Sequence, residues 1–458
     1  MFRGIWRTIP GLLTLAVTVI SATLMLIALI LDQLSLVTNP YFAILAYMIL
    51  PTIMVLGMVA LPLVGLLCRR GWFKTCRTGE RLYIDLGNSR HRRFVLGFTV
   101  LSVFLVGLLL TIAYEGYHFT DSSYFCGMVC HRVMEPEYTA AQRSAHAKVS
   151  CVSCHIGPGA QWFVRAKISG LRQVKAMFTN DFSRPIPAPV EHLRPARDTC
   201  ETCHWPEKFH GKKVKSFISY SNDNQTRPEK QDIALHIGGR NPRTEAFEGI
   251  HWHVSHDVKV EYQSLNSTRT QIGAVRVSKP GGITEMYELE GGGGEQPQPV
   301  AGNGWRTMDC IDCHNRPTHV YDRLQDRVDF GLSSGRIDPS LAGIREDAMV
   351  VLRHAYASRQ EAKERLVAHL MELQVKRHGA EQTRRHEAVL HKAGAYLLDT
   401  YLRNVWPEMK VGWGTYKEHL GHRDVAEGYG CFRCHDEEHR TVTGKTISQD
   451  CALCHDEP

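Results

Sequence analysis

Twelve of the fourteen cysteines in this 458-residue chain fall into six pairs, and a histidine follows each pair at once. The motifs are Cys126-Gly-Met-Val-Cys130-His131, Cys151-Val-Ser-Cys154-His155, Cys200-Glu-Thr-Cys203-His204, Cys310-Ile-Asp-Cys313-His314, Cys431-Phe-Arg-Cys434-His435 and Cys451-Ala-Leu-Cys454-His455. A cysteine pair closed by an adjacent histidine is the attachment pattern of c-type haem. The thiols bond the vinyl groups of the macrocycle, and the histidine reaches the iron from one side. Repeated CxxC pairs also build zinc sites, but zinc does not require a histidine directly after every pair. The chain is therefore read as carrying six covalently bound haem c groups. Three residues separate the cysteines of the first motif; an i, i+4 pair still lies on one helical face.

Each iron has a second axial position. Histidine there gives a low reduction potential and methionine raises it. Met134 follows the first motif closely. His146, His210, His251, His253, His319, His422 and His439 lie near motifs or in histidine-rich clusters, and these are the candidate distal ligands. His354, His369, His378, His386 and His391 fall on helical stretches and are read as mostly solvent-facing. No motif ends in lysine, which argues against an open catalytic haem for nitrogen-oxide chemistry.

The elements that position these groups begin with a membrane anchor. Three uncharged apolar stretches, near 11–31, 41–68 and 94–114, each approach the ~20 residues that cross a bilayer as a helix. Pro51 and Pro62 in the second predict a kink. Arg3 and Arg7 precede the first stretch, and the loop 69–93 carries eight Lys or Arg. By the positive-inside rule the N-terminus is cytoplasmic and the haem-bearing part lies in the periplasm of a bacterial inner membrane. Cys68 and Cys76 then fall on the cytosolic side and are read as reduced thiols. The net charge of +7 is confined to residues 1–114, so the basic balance reports membrane orientation rather than nucleic-acid binding.

Residues 115–212 hold the first three motifs and little regular pattern. Residues 213–304 read as a small β-rich insertion followed by a Gly/Pro linker at 291–304. Residues 305–458 read as a helical domain with the last three motifs, its apolar positions spaced for helices near 341–377 and 382–405, with Pro407 ending the second. The expected fold is thus a mainly α membrane protein: three transmembrane helices and a periplasmic multihaem domain with a β-rich insertion.

A membrane anchor, a haem motif with a nearby Met, and then Ser144-Ala-His146-Ala-Lys-Val-Ser-Cys151-Val-Ser-Cys154-His155-Ile together resemble the NapC/NirT family of membrane-anchored multihaem cytochromes c. The longer chain resembles the larger inner-membrane cytochromes of metal-reducing bacteria. The family usually has one membrane helix and four haems, against three and six here. The resemblance implies a quinol dehydrogenase that passes electrons to periplasmic cytochromes or a terminal reductase in anaerobic respiration. It also implies that His146 ligates the iron of a later haem. The family's quinol pocket uses a lysine and an acidic residue after the second motif. In Arg165-Ala-Lys167-Ile-Ser-Gly-Leu-Arg-Gln173 the lysine is Lys167 and Gln173 takes the acidic place, with Glu135 and Asp181 as nearby acids. The alternatives are a conduit subunit without its own quinol site, a haem enzyme reducing a small molecule directly, and reversed flow from periplasmic donors to quinone.

Overall fold

The computed structural model describes residues 9–33, 45–70, 87–129, 131–157, 160–190, 194–222, 226–241, 243–289, 304–422 and 430–456. Cys76, Cys130, most of the basic loop 69–93, nearly all of the linker 291–304 and the side chains of His131 and Lys167 lie outside the described residues. The chain divides into two compact units, Met1–Arg132 and Val133–Pro458.

The first unit is built on helices α1 (Ile9–Gln33), α2 (Leu50–Arg69) and α3 (Ser89–Asp121). Met25, Ala28, Ala46, Tyr47, Leu50, Met54 and Ile112 form its buried core. The outward positions are equally apolar: Leu13, Ile20, Leu24, Leu56, Val59 and Leu63 are exposed. A helix hydrophobic all round belongs in a bilayer or a large core. Ile9–Leu31 and Leu45–Leu67 are long and apolar enough to span a membrane, each with 23 residues and with mean hydropathies of 2.5 and 2.3. Pro62 sits inside α2, and Pro51 stands at its second residue, directly after the π-helical turn Leu45–Ile49. Gly57 backs directly onto Thr18, so α1 and α2 approach closely there. Asn88 caps α3, its side chain accepting from Arg90 N at 3.0 Å.

The second unit takes in most of α4 (His131–Arg143), then α5 (Ala160–Thr179). These two helices occupy a stretch whose sequence shows little periodicity. Strands follow: β1 (Gly211–Tyr220), β2 (Pro228–Arg240), β3 (Phe247–Glu248), β4 (Lys259–Ser264), β5 (Ile272–Ser278), β6 (Thr284–Leu289) and β7 (Arg306–Thr307). They make two antiparallel sheets, β1-β2-β3 and β7-β4-β5-β6. Each sheet recruits a short strand from the C-terminal motifs. β8 (His439–Arg440) pairs with β6, and β9 (His455–Asp456) pairs with β2, placing Leu235 opposite His455. Val260, Tyr262, Ile272, Val275, Val277 and Tyr287 form the core of the larger sheet, with Trp252 and Cys434 packed against it.

Helices α6 (Leu324–Ser333), α7 (Ile344–Arg353), α8 (Arg359–His378), α9 (Ala380–Arg385) and α10 (Glu387–Leu402) enclose the largest core. Leu324, Val328, Leu366, Leu370, Leu390 and Leu397 are among its members, so the helical spacing of apolar residues does mark buried faces. The single helix expected near 341–377 is broken at 354–358. His354 turns extended, and Ser358 caps α8 by accepting from Glu361 N at 3.0 Å.

Candidate haem-binding sites

Four of the motifs sit on short helical turns at Cys151–His155, Cys310–Cys313, Gly430–Arg433 and Cys451–Leu453, and Ala196–Cys200 leads into the third. A tight turn brings two cysteines three apart to one side. The fourth motif shows how such a turn is held. Asp309 caps it, accepting from Ile311 N at 3.1 Å, while Asp312 accepts from Asp309 N at 2.8 Å. The Asp312 carboxylate is almost fully buried and also accepts from Tyr262 Oη at 2.6 Å and Arg306 Nε at 3.0 Å.

Five motif histidines each face one histidine from elsewhere in the chain. The ring centres are 6.0 Å apart for His204 and His146, 6.1 Å for His155 and His319, and 6.4 Å for His314 and His251. They are 5.9 Å apart for His435 and His253 and 6.1 Å for His455 and His422. Two metal–imidazole bonds of about 2 Å in line, with roughly 1 Å from each nitrogen to its ring centre, require about 6 Å. The five pairs therefore fit one iron between two imidazoles. Zinc needs three or four protein donors around one point; among the described residues no three His, Cys, Asp or Glu side chains converge in that way.

The second nitrogen of six of these ten rings supports the same geometry. Nδ1 meets a backbone carbonyl at His146 (Pro317, 3.2 Å), His251 (Ile237, 2.9 Å) and His253 (Ile250, 2.8 Å). It does so also at His319 (Glu137, 3.0 Å), His435 (Ser448, 2.7 Å) and His455 (Asp456, 3.1 Å). A proton held at Nδ1 leaves Nε2 as the lone-pair nitrogen for metal. Burial pushes the pKa of His155, His253 and His314 below the usual imidazole value, with further lowering from neighbouring histidines. These rings are neutral, the form that ligates.

Local structure explains how the partners arrive. His251 and His253 share the turn Ile250–Val254, two positions apart, and face His314 of the fourth motif and His435 of the fifth. That turn starts at Gly249, with φ of 74°, pressed against Gly238, with φ of 104°. Ser144 Oγ lies 3.0 Å from Thr318 Oγ1, joining the loop that carries His146 to the one that carries His319. Asn315 donates to Lys417 O at 2.8 Å and accepts from His419 N at 2.9 Å, tying the fourth motif to the segment leading to His422.

One candidate ligand, His439, is held by the protein itself. His439 is 1 % exposed with both nitrogens engaged: Nδ1 lies 2.7 Å from Asp436 Oδ2 and Nε2 lies 3.2 Å from Ile272 O. It secures the turn after the fifth motif. His210 is exposed just before β1 and is not in any of the five pairs. Met134 is half-buried on α4. Among the candidate quinol residues, Gln173 is exposed and lies 3.4 Å from Ser169 Oγ one turn back. Asp181 is exposed beyond the end of α5, and Glu135 lies 3.4 Å from Arg359.

Motif sulfurs adjoin in chain order. The Cys154 thiol is pushed up by burial and by Cys151 and Cys203. Cys200 hydrogen-bonds Cys310, which raises the first thiol and lowers the second. Burial and Cys431 raise Cys313, and burial and Cys431 raise Cys454.

Residues 89–186 match the model of the NapC/NirT cytochrome c family, N-terminal region. The chain is 38 % identical over 460 residues to the cytochrome c-type protein ImcH of Geobacter sulfurreducens, covering 99 % of this chain and 88 % of that protein. No solved structure matches. With its cysteine–histidine turns, paired imidazoles and apolar N-terminal helices, the chain belongs to the NapC/NirT family of electron-transfer cytochromes c.

Proposed function

We propose that this cytochrome oxidises membrane quinol and passes the electrons through six haem c groups to periplasmic cytochromes or a terminal reductase in anaerobic respiration. The pairing of five motif histidines with a second histidine at bond-compatible separation carries this reading. Bound in these sites, haem c supplies reversible one-electron chemistry at iron. At five of the sites a histidine from each side would hold the haem, an arrangement that would favour electron transfer over substrate binding. Met134, three residues after His131 in the sequence, is the candidate second ligand at the first motif. The adjacency of motifs two to six in chain order supports an ordered relay.

At the membrane end, α3 serves as a third span, with the basic loop 69–93 on the cytoplasmic side. Ile168, Leu171, Val174 and Phe178 expose an apolar stripe along α5, with Arg172 and Lys175 between them. Such a helix suits a lipid–water boundary, where quinol head groups lie. Lys167 stands four residues before Leu171 and seven before Val174, the spacing of one helical face. Lys167 orients the head group, and a nearby acid takes its protons. Gln173 cannot do so, and Glu135 is engaged by Arg359; Asp181, exposed just beyond the end of α5, is the remaining candidate.

The test uses purified holoprotein in lipid. A menaquinol or ubiquinol analogue should reduce the haems, and Lys167→Ala should slow this at least tenfold while leaving dithionite reduction intact. Haems that stay oxidised with both analogues overturn the proposal.

A further inference from the structure

Glu137 lies on α4, and its carboxylate is buried. Its Oε2 stands 3.1 Å from His319 Nδ1, while its backbone oxygen lies 3.0 Å from the same nitrogen. The carboxylate is held from behind. Arg316 reaches Oε2 at 3.4 Å. Arg316 is itself fixed over the Tyr416 ring, 3.7 Å from its centre. At His146, His251, His253, His435 and His455 the same nitrogen meets a neutral backbone carbonyl. At His319 it also meets an anion.

A carboxylate accepting from the outer N–H of a ligating imidazole makes the ring a stronger donor to its metal. Charge-assisted hydrogen bonds are about twice as strong as neutral ones. A stronger donor favours the oxidised, more positive iron. We propose that Glu137 is a positioning residue for the second haem site: it fixes the orientation of His319 and lowers the reduction potential there. The proposal rests on reading His155 and His319 as an axial pair.

The experiment is a redox titration of the holoprotein, followed by visible absorption and low-temperature EPR. Glu137→Gln keeps an acceptor of similar shape without the charge. One midpoint potential should rise by roughly tenfold in its reduction equilibrium, about 59 mV for one electron. The affected haem should remain six-coordinate and low-spin, and Glu137→Asp should restore part of the shift. Arg316→Gln, which removes the opposing charge and leaves the carboxylate, should move the same midpoint downward. Unchanged midpoints in Glu137→Gln, or an upward or absent shift in Arg316→Gln, overturn the proposal. His319→Ala separates the two levels. If it converts one haem to five-coordinate, the axial pair stands and the tuning role is judged by the midpoints. If every haem stays six-coordinate and low-spin, the pair itself is wrong and the proposal falls with it.

Discussion

The guanidinium of Arg433 donates to the backbone carbonyl of Asp312 at 2.6 Å, so the spacer residues of the fifth and fourth motifs are joined directly. Arg433 is buried and also donates to Gly430 O and Arg269 O, each at 2.8 Å. Three carbonyls share one buried cation, and each loses a charge-assisted hydrogen bond without it. Losing such a bond costs about 1–3 kcal/mol. Arg433→Met should therefore destabilise the holoprotein by about 3 kcal/mol or more, read as a lower midpoint in chemical denaturation. Exposed Arg440→Met, as control, should stay within about 0.5 kcal/mol.

The shared turn at 250–254 gives a sharper expectation. His251→Ala and His253→Ala should each convert one haem from low-spin to high-spin, seen in the oxidised EPR and visible spectra. His439→Asn should change no haem's spin state, because both His439 nitrogens are bonded to protein.

Gly249 tests the scaffold beneath that turn. A Cβ there would lie 2.6 Å from Gly238 Cα, and the backbone has φ of 74°. Gly249→Val should displace both ligands together, so two haems change spin state at once. Gly281 also has positive φ, at 87°, but a Cβ there meets nothing within 4 Å. Gly281→Ala should cost about 1 kcal/mol and leave the spectra unchanged.

A pH dependence follows from His419. Burial, aided by the charge of Arg433, holds this imidazole down at about 4 against an ordinary 6.5. The unfolded chain then binds more protons than the native state between those two values. Stability is full above pH 6.5, declines as pH falls towards about 4, and levels below it. One pKa unit is about 1.36 kcal/mol, so the decline is on the order of 3 kcal/mol. Thermal unfolding of His419→Asn should show a shallower acid-side loss than the parent chain.

The motifs were legible because covalent attachment demands a fixed local spacing, which one turn can satisfy. The distal histidines were legible only as a pool. His319 reaches His155, and His251 reaches His314, through folding rather than local spacing. His439 shared the local signal of His422 but spends both nitrogens on Asp436 and Ile272. Glu137 carried no signal at all: an acid within a short helix reads as a solvated face. The break before α8 was readable, since Ser358 stands three residues ahead of Glu361, a capping pattern. Continuous apolar spacing across 341–377 outweighed it. Helix α5 was obscured because its apolar stripe is exposed rather than turned to a protein core.

EPR of the fully oxidised holoprotein tests the paired imidazoles most directly, because the angle between two ligating rings sets the orbital splitting at iron. The rings are near-parallel at His251 and His314 (10°) and at His422 and His455 (25°). They are near-perpendicular at His146 and His204 (76°) and at His253 and His435 (74°). Two classes of low-spin bis-histidine signal should therefore appear together, rhombic for the parallel pairs and strongly anisotropic for the crossed ones. High-spin or methionine-ligated iron at several of the haems would contradict the account.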